Sequence, residues 1–366
     1  MAEPAVARLT IDLDALAHNY AVLRTEAAGA EVAPVLKSDG YGLGAGALGR
    51  RLWAEGARSF FVARLAEGEA LRTALTPARP ATIYVLDGMA DDGDGGGRLE
   101  AAGLTPVLCN LPQIATATAR VAHTGRAQSV AINIDTGMNR QGLTPAEAAA
   151  VVQATDRLRG LEIGLVMSHL GSAADPNNPR NTNQLSQFLE ARTLFPLARA
   201  SLAASAGLFL GADFHFDVVR PGISLLGGGP LARPDGRFRA VATLTAPILD
   251  IRNLRAGDLV GYGENVRLAE PARVAVVAAG YTDGIIRASR NGGQVWFAGA
   301  HRRLLAVNMD MVVIDLGDAP AAIGQPVEIL GPNAQLDDLA TAGDTVAHEI
   351  LVRLSRRAEK RYVGEA

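Results

Sequence analysis

From residue 32 to about 222 the chain alternates two patterns. Short apolar or β-branched runs stand at 32–36, 60–63, 82–86, 105–109, 129–134, 161–167, 200–204 and 216–219. Between them lie longer amphipathic, alanine-rich stretches, such as 65–73, 145–155 and 183–197, whose apolar spacing predicts helix. The run centres are roughly 15–35 residues apart, the spacing of βα units that build a parallel sheet. Eight such units in about 190 residues predict a closed TIM-type (β/α)8 barrel rather than an open doubly wound sheet. The turn that directly follows the first run, KSDGYG, is not a GxGxxG, which weakens a dinucleotide-binding alternative.

After Gly227-Gly228-Gly229-Pro230 the helical period fades. The polar segment LARPDGRFRA, 231–240, has the proline and glycine content of a linker. Beyond it, runs at 241–251, 259–262, 273–279, 294–298, 303–316 and 326–330 are separated by Gly, Asn or Asp turns, with a single helical stretch at 344–356. The expected organisation is a barrel over 1–235 and a mainly antiparallel β domain over 236–366, with the first residues free to pair with the second domain. DDGDGGG, 91–97, reads as a short flexible loop.

Composition narrows the class. The 366 residues are 48% hydrophobic and 20% charged, which suits a globular protein with a large core. A net charge of −3 gives no electrostatic case for nucleic acid or an anionic membrane as partner. The start carries acids early and lacks a basic-then-apolar order, so no signal peptide is expected. No apolar stretch approaches the roughly 18–20 residues that span a bilayer. Cys109, the only cysteine, excludes an intramolecular disulfide and any CxxC site. Together these absences predict the cytoplasm.

The residue after each predicted strand changes the picture most. In order these are Lys37, Arg64, Asp87, Asn110, Asp135, Ser168 with His169, Ser205 and Arg220. Wet loops account for most of them singly. A barrel, however, carries its chemistry at the carboxyl ends of its strands, and Lys37, Asp135, His169 and Arg220 fall together there. Lys37 closes the apolar run VAPVL and precedes Gly40, Gly42 and Gly44, which permit a tight turn. It reads either as a snorkelling surface lysine or as an amine with a lowered pKa, fit to be a nucleophile, Schiff-base partner or general base. The loops after runs seven and eight hold Ser205-Ala206-Gly207 and Arg220-Pro221-Gly222-Ile223, where a hydroxyl and backbone N–H groups can cradle a phosphate. A phosphate anchor with a strand-end lysine is what pyridoxal phosphate requires.

PVLKSDGYGLG resembles the pyridoxal-phosphate lysine motif of the alanine racemase family, fold-type III enzymes, in the form seen in alphaproteobacteria. INIDTGMNRQG (132–142), VMSHLGSAADP (166–176), VVRPGISLLGG (218–228), VGYGENVR (260–267), AAGYTDGIIR (278–287) and NMDMVVIDLGD (308–318) resemble other motifs of that family, in its order and approximate spacing. With the opening LTIDLDALAHNY they cover nearly the whole chain. The resemblance implies a barrel followed by a β domain, pyridoxal 5'-phosphate as cofactor, and a homodimer with shared active sites. It implies a two-base racemisation of a small amino acid, alanine first, supplying D-alanine for peptidoglycan.

Carried over by position, Lys37 resembles the lysine that holds the cofactor and acts as base on one face of the substrate. Tyr262 resembles the opposite base, contributed by the partner subunit. A phenol needs a nearby cation to serve as a base at neutral pH. Arg220 resembles the arginine facing the pyridine nitrogen, which has no proton it readily gives up, and His169 resembles its support. Arg140 resembles the arginine near the cofactor's phenolic oxygen and the substrate carboxylate. Met309 and Asp310 match the partner's carboxylate-binding pair, and Tyr281 a gate tyrosine. Tyr41, Ser205, Gly222 and Ile223 match phosphate-side positions, and Leu86 and His348 also fall among cofactor positions. No metal is implied.

Four positions depart from the family pattern. Asn133 stands where many members carry a carbamylated lysine, so no carbamate is expected, with an amide or an anion such as chloride orienting Arg140 instead. His348 replaces the tyrosine of YEI, Ala204 a frequent asparagine, and Leu226 the tyrosine of LYG. The change at His348 borders the substrate and opens serine or another small amino acid as substrate, since pockets separate such side chains by only about 1–3 kcal/mol. A basic amino-acid decarboxylase is a competing reading, disfavoured by Arg220 where a carboxylate is usual. A non-catalytic cofactor carrier is another; it leaves 241–366 and Tyr262 unexplained.

Overall fold

A computed structural model describes residues 7–89, 94–262, 266–354 and 357–364. The chain divides into two units. The first holds Tyr20–Gly40 and Gly44–Leu225; the second holds the residues up to Asn19, Tyr41–Leu43, and those from Leu226 onward.

The first unit is built of parallel strands in sequence order. Ser59–Val62, Thr82–Val85, Thr105–Leu108, Gln128–Asn133, Leu161–Met167 and Arg199–Ser201 form one six-stranded sheet. Glu31–Val32 and Val218–Val219 form a parallel pair. The predicted run 32–36 is thus mostly not ladder: Pro34 interrupts it, and only Val35 bridges, to Phe61. The run 216–219 shortens likewise to Val218–Val219, and Ala204 bridges to Arg220. Further backbone bonds join the pair to the sheet on both sides, Phe61 N–H to Pro34 O (2.9 Å) and Arg220 N–H to Ala203 O (2.9 Å). Inside these strands Ala33, Phe61, Tyr84, Val107, Cys109, Ala131, Leu165, Met167 and Val218 form one buried cluster.

The helices between strands end where local chemistry stops them. Asn110 accepts the Gln113 N–H at the start of Leu111–Thr124, and Gly125 at φ 67° ends it. Thr144 and Glu147 make a reciprocal capping box on Pro145–Gln153. The stretch expected at 183–197 is a helix at Pro179–Arg192, begun by Asn178 and Pro179. Residues 95–97 of the expected flexible loop are the first turn of helix Gly95–Ala101; 91–93 lie outside the described residues.

The second unit is an eight-stranded sheet whose neighbours are antiparallel with one exception. Arg8–Asp12 lies between Ala242–Leu254, antiparallel, and Glu359–Val363, parallel. The run 303–316 is two strands, Ala300–Val307 and Val312–Asp315, joined by a turn at 308–311. Residues 259–262 form no strand, only a bridge from Leu259 to Arg267. The helix expected at 344–356 spans Ala347–Arg353, and a second short helix, Leu336–Ala342, precedes it. Among the described residues no helix is long and apolar enough to cross a membrane.

Candidate active site

Lys37 opens a turn wound the wrong way for L-amino acids. Ser38, Asp39 and Gly40 sit at φ/ψ near 55°/45°, 53°/49° and 63°/42°, and Tyr41 follows at φ 58°. For Ser38, Asp39 and Tyr41, which carry a Cβ, this conformation costs roughly 1–2 kcal/mol each, so the surroundings must impose the shape. Glu67 Oε1 accepts the Ser38 N–H at 2.9 Å, Asp39 Oδ1 accepts the Ala45 N–H at 2.8 Å, and Gly40 N–H returns to Leu36 O. At Gly40 a Cβ would stand 2.7 Å from Leu48 Cδ1. Lys37 is half-buried. Burial lowers its pKa, the nearby Arg140 guanidinium lowers it further, and Glu67 partly opposes them.

Glu67 was invisible as a site residue. Its other oxygen accepts the N–H groups of Ala63 and Arg64, where the strand passes into helix Leu65–Leu75. One carboxylate therefore caps a helix and holds the lysine turn. The only sequence signal was an acid three residues into a helix.

Arg140 rides on a loop closed by its own backbone. Asp135 Oδ1 accepts the N–H groups of Gly137, Met138 and Asn139, and Leu143 bonds back to Asn133 and Asp135. Gly142, at φ 132°, lies so close that a Cβ would meet Asp135 N at 2.6 Å. The Asn133 amide is engaged by the Gln141 carbonyl (2.8 Å) and by the Cys109 thiol. It therefore steadies the backbone of the loop that carries Arg140. Burial pushes the Cys109 thiol up to about 11, so it is inert at neutral pH.

Arg220 is 3% exposed. Its guanidinium donates to Ser201 Oγ and to the carbonyls of Ser168 and Leu202, and lies 5.8 Å from the Phe61 ring, which stacks on Tyr84. Ser168 in turn shares a 2.8 Å hydrogen bond with the buried Thr136. Burial pulls the Arg220 pKa down to about 9, which leaves it charged at neutral pH. The oxygens that accept its hydrogen bonds are all uncharged, so among the described residues this cation is held by neutral groups. His169, half-buried beside Ser168, has its carbonyl held by Gln184 at 2.9 Å.

On the phosphate side, Ser205 Oγ accepts the N–H groups of Gly222 (3.0 Å) and Ser224 (3.3 Å), all buried. Ser224 Oγ is buried without a partner among the described residues. The orphaned Ser224 hydroxyl, a buried donor beside Ser205, fits an anion with acceptor oxygens. Leu86, half-buried, packs on the interior cluster. Other rim residues are structural: Asn110 is a helix cap, and Arg64 pairs with Asp87.

Tyr41, Tyr262, Tyr281, Met309, Asp310 and His348 belong to the second unit. The Tyr41 ring lies 5.8 Å from that of His348, and burial raises the Tyr41 phenol well above its ordinary pKa. Tyr362 OH and Lys360 Nζ hold the carbonyls of Leu43 and Gly42 at 2.7 and 2.8 Å. Tyr281, Met309 and Asp310 are brought together by two facing turns. Tyr262 is 69% exposed, and residues 263–265 of its motif lie outside those described.

Two family models match, described as alanine racemase N-terminal domain over residues 11–230 and C-terminal domain over 241–362. The chain is 38% identical over 359 residues to a catabolic alanine racemase of Agrobacterium fabrum, covering 97% of this chain and 92% of the relative. It is 39% identical over 365 residues to an alanine racemase of Rhodospirillum rubrum, covering 98% and 96%. Among solved structures it resembles the Bartonella henselae alanine racemase with covalently bound pyridoxal phosphate, at TM-score 0.90 and 32% identity, with 98% and 100% of the chains covered. The biosynthetic alanine racemase of Pseudomonas aeruginosa matches at TM-score 0.90 and 31% identity over the same shares.

Proposed function

The chain belongs to the alanine racemase family, and from that premise we propose that it is a pyridoxal 5'-phosphate-dependent isomerase interconverting L- and D-alanine. The observation that carries this reading is Lys37, a half-buried amine with a lowered pKa on a strained turn, influenced directly by Arg140.

When bound, the cofactor supplies an aldehyde for amines and a ring that draws electrons from the substrate Cα–H bond. The residues present fit it. Lys37 would hold it, and the Ser205 hydroxyl with the N–H groups of Gly222 and Ile223 would take the phosphate. Leu86 would line the ring's side. Arg220, charged but unwilling to give up a proton, would face the pyridine nitrogen and restrain its electron withdrawal, with His169 in support. The freed Lys37 amine removes or returns the Cα proton on one face, and Tyr262 of a second copy does so on the other. Arg140 and the Met309 N–H of the second copy orient the carboxylate, with that copy's Asp310 beside it and Tyr281 at the gate.

The same reading takes the two parallel sheets of the first unit as one closed eight-stranded barrel, supported by the backbone bonds on both sides of the pair. It makes the molecule a cytoplasmic homodimer, with residues 236–366 completing the partner's site. It assigns the product D-alanine to peptidoglycan; the catabolic relatives favour a second role in alanine breakdown. His348, where the family has tyrosine, favours acceptance of serine as well.

The test is direct. The purified protein is expected to be yellow, to lose its colour on borohydride reduction or in Lys37→Ala, and to exchange the alanine α-hydrogen in deuterated water. Racemisation is then compared across alanine, serine, lysine and arginine. Colour without exchange points to a carrier, and carbon dioxide release to a decarboxylase; either result overturns the proposal.

A further inference from the structure

Two turns of the second unit meet edge to edge. One is Tyr281–Asp283; the other, 308–311, joins strands Ala300–Val307 and Val312–Asp315. They approach so closely that a Cβ on Gly280 would stand 2.3 Å from Met309 O and 2.4 Å from Asn308 O. The Asn308 carbonyl accepts the Tyr281 N–H at 2.9 Å. A trans peptide is planar, with its C=O and N–H pointing in opposite directions, and the described residues include no cis peptide. Fixing the Asn308 C=O on Tyr281 therefore aims the Met309 N–H the other way. The next peptide is fixed too, because Met309 O accepts both the Thr282 N–H (3.0 Å) and the Thr282 hydroxyl (2.7 Å).

Arg357 ties the turns together with charge. Its Nε and Nη2 meet both oxygens of Asp283, at 3.1 and 2.6 Å, and Nη1 reaches Asp310 at 2.5 Å. Asp283 is 2% exposed and also accepts the Gly280 N–H at 2.8 Å. A forked guanidinium matches this geometry, which a lysine cannot reproduce. Met309 itself is half exposed.

We propose that Thr282 and Arg357 are positioning residues that hold the Met309 N–H in the orientation needed to bind the substrate carboxylate. The inference rests on Met309 as a carboxylate donor, as read above. Neither residue touches the reacting atoms. Their effect falls on binding and not on proton transfer, because the donor they aim contacts the carboxylate in substrate and transition state alike.

The experiment uses the holoenzyme. Thr282→Val removes the hydroxyl at nearly constant shape, and is expected to raise KM for both alanine enantiomers about three- to tenfold, the scale of one or two hydrogen bonds. The turnover number stays within about twofold and the cofactor absorbance is unchanged. The inhibition constant of propionate, a substrate without its amine, rises in proportion. Thr282→Ser restores the wild-type values, and Arg357→Gln shows the same KM shift where it folds. An unchanged KM in Thr282→Val, a fall confined to turnover, or no rescue by Ser overturns the inference. Failure of the underlying reading looks different: the wild-type holoenzyme would not racemise alanine, or propionate would not compete.

Discussion

Lys37 and Arg220 are cations placed where water is scarce, and each is tuned differently. Lys37 loses proton affinity through burial and through Arg140. Reconstitution of apoprotein with pyridoxal phosphate should therefore titrate with a midpoint below the ordinary lysine value of 10.5. Arg140→Gln should move that midpoint up, and Glu67→Gln down; stopped-flow absorbance across pH reads both. The sign for stability follows by linkage. The folded chain binds this proton less tightly than the unfolded chain, so apoprotein stability should rise as pH climbs toward 10.5, and the slope should shrink in Lys37→Met. Arg220 keeps its charge by neutral partners. Ser201→Ala removes one of them and should cost about 1–3 kcal/mol in urea unfolding, the penalty of an unpaired buried donor. Lys37 and Arg220 were legible in the sequence because each follows an apolar run. Ser201, Thr282, Arg357 and the bond from Glu67 to the lysine turn were not, because those partners lie far along the chain.

At the scale of elements, strand and helix order followed from periodicity, and the boundaries that moved did so for local reasons. Pro34 lacks the N–H that a ladder needs, so the first run yields two ladder residues and a bridge. Met309 and Met311 carry apolar character through a turn, which hid the break between two strands. The left-handed turn after Lys37 was legible only as glycine content. That Ser38, Asp39 and Tyr41 share its conformation depends on Glu67 and on the chain's return at Ala45. Gly40→Ala adds a left-handed alanine and a clash with Leu48. It should destabilise the fold by about 1–2 kcal/mol or more and displace Lys37, seen as weaker cofactor retention on dialysis.

At the scale of the molecule, the strand Arg8–Asp12 is held between Ala242–Leu254 and Glu359–Val363. Deleting residues 358–366 should bare its edge and lower the melting temperature, with aggregation seen by light scattering. The proposed dimer has a sharper test. Lys37→Ala and Tyr262→Phe, each inactive, should recover about a quarter of wild-type activity when subunits are exchanged, because each mixed dimer of a two-fold pair holds one intact site. No recovery after demonstrated exchange would place both bases in one chain. The sequence by itself determined the succession of parallel units, the change to a β domain, the lysine at a strand end and the family, because each is written in local period or in contiguous motifs. Only the tertiary structure decided how the turn at Lys37 is wound, what keeps Arg220 charged, and how Thr282 and Arg357 aim the Met309 N–H. Those depend on hydrogen bonds between residues distant in sequence, whose geometry exists only once the chain has closed on itself.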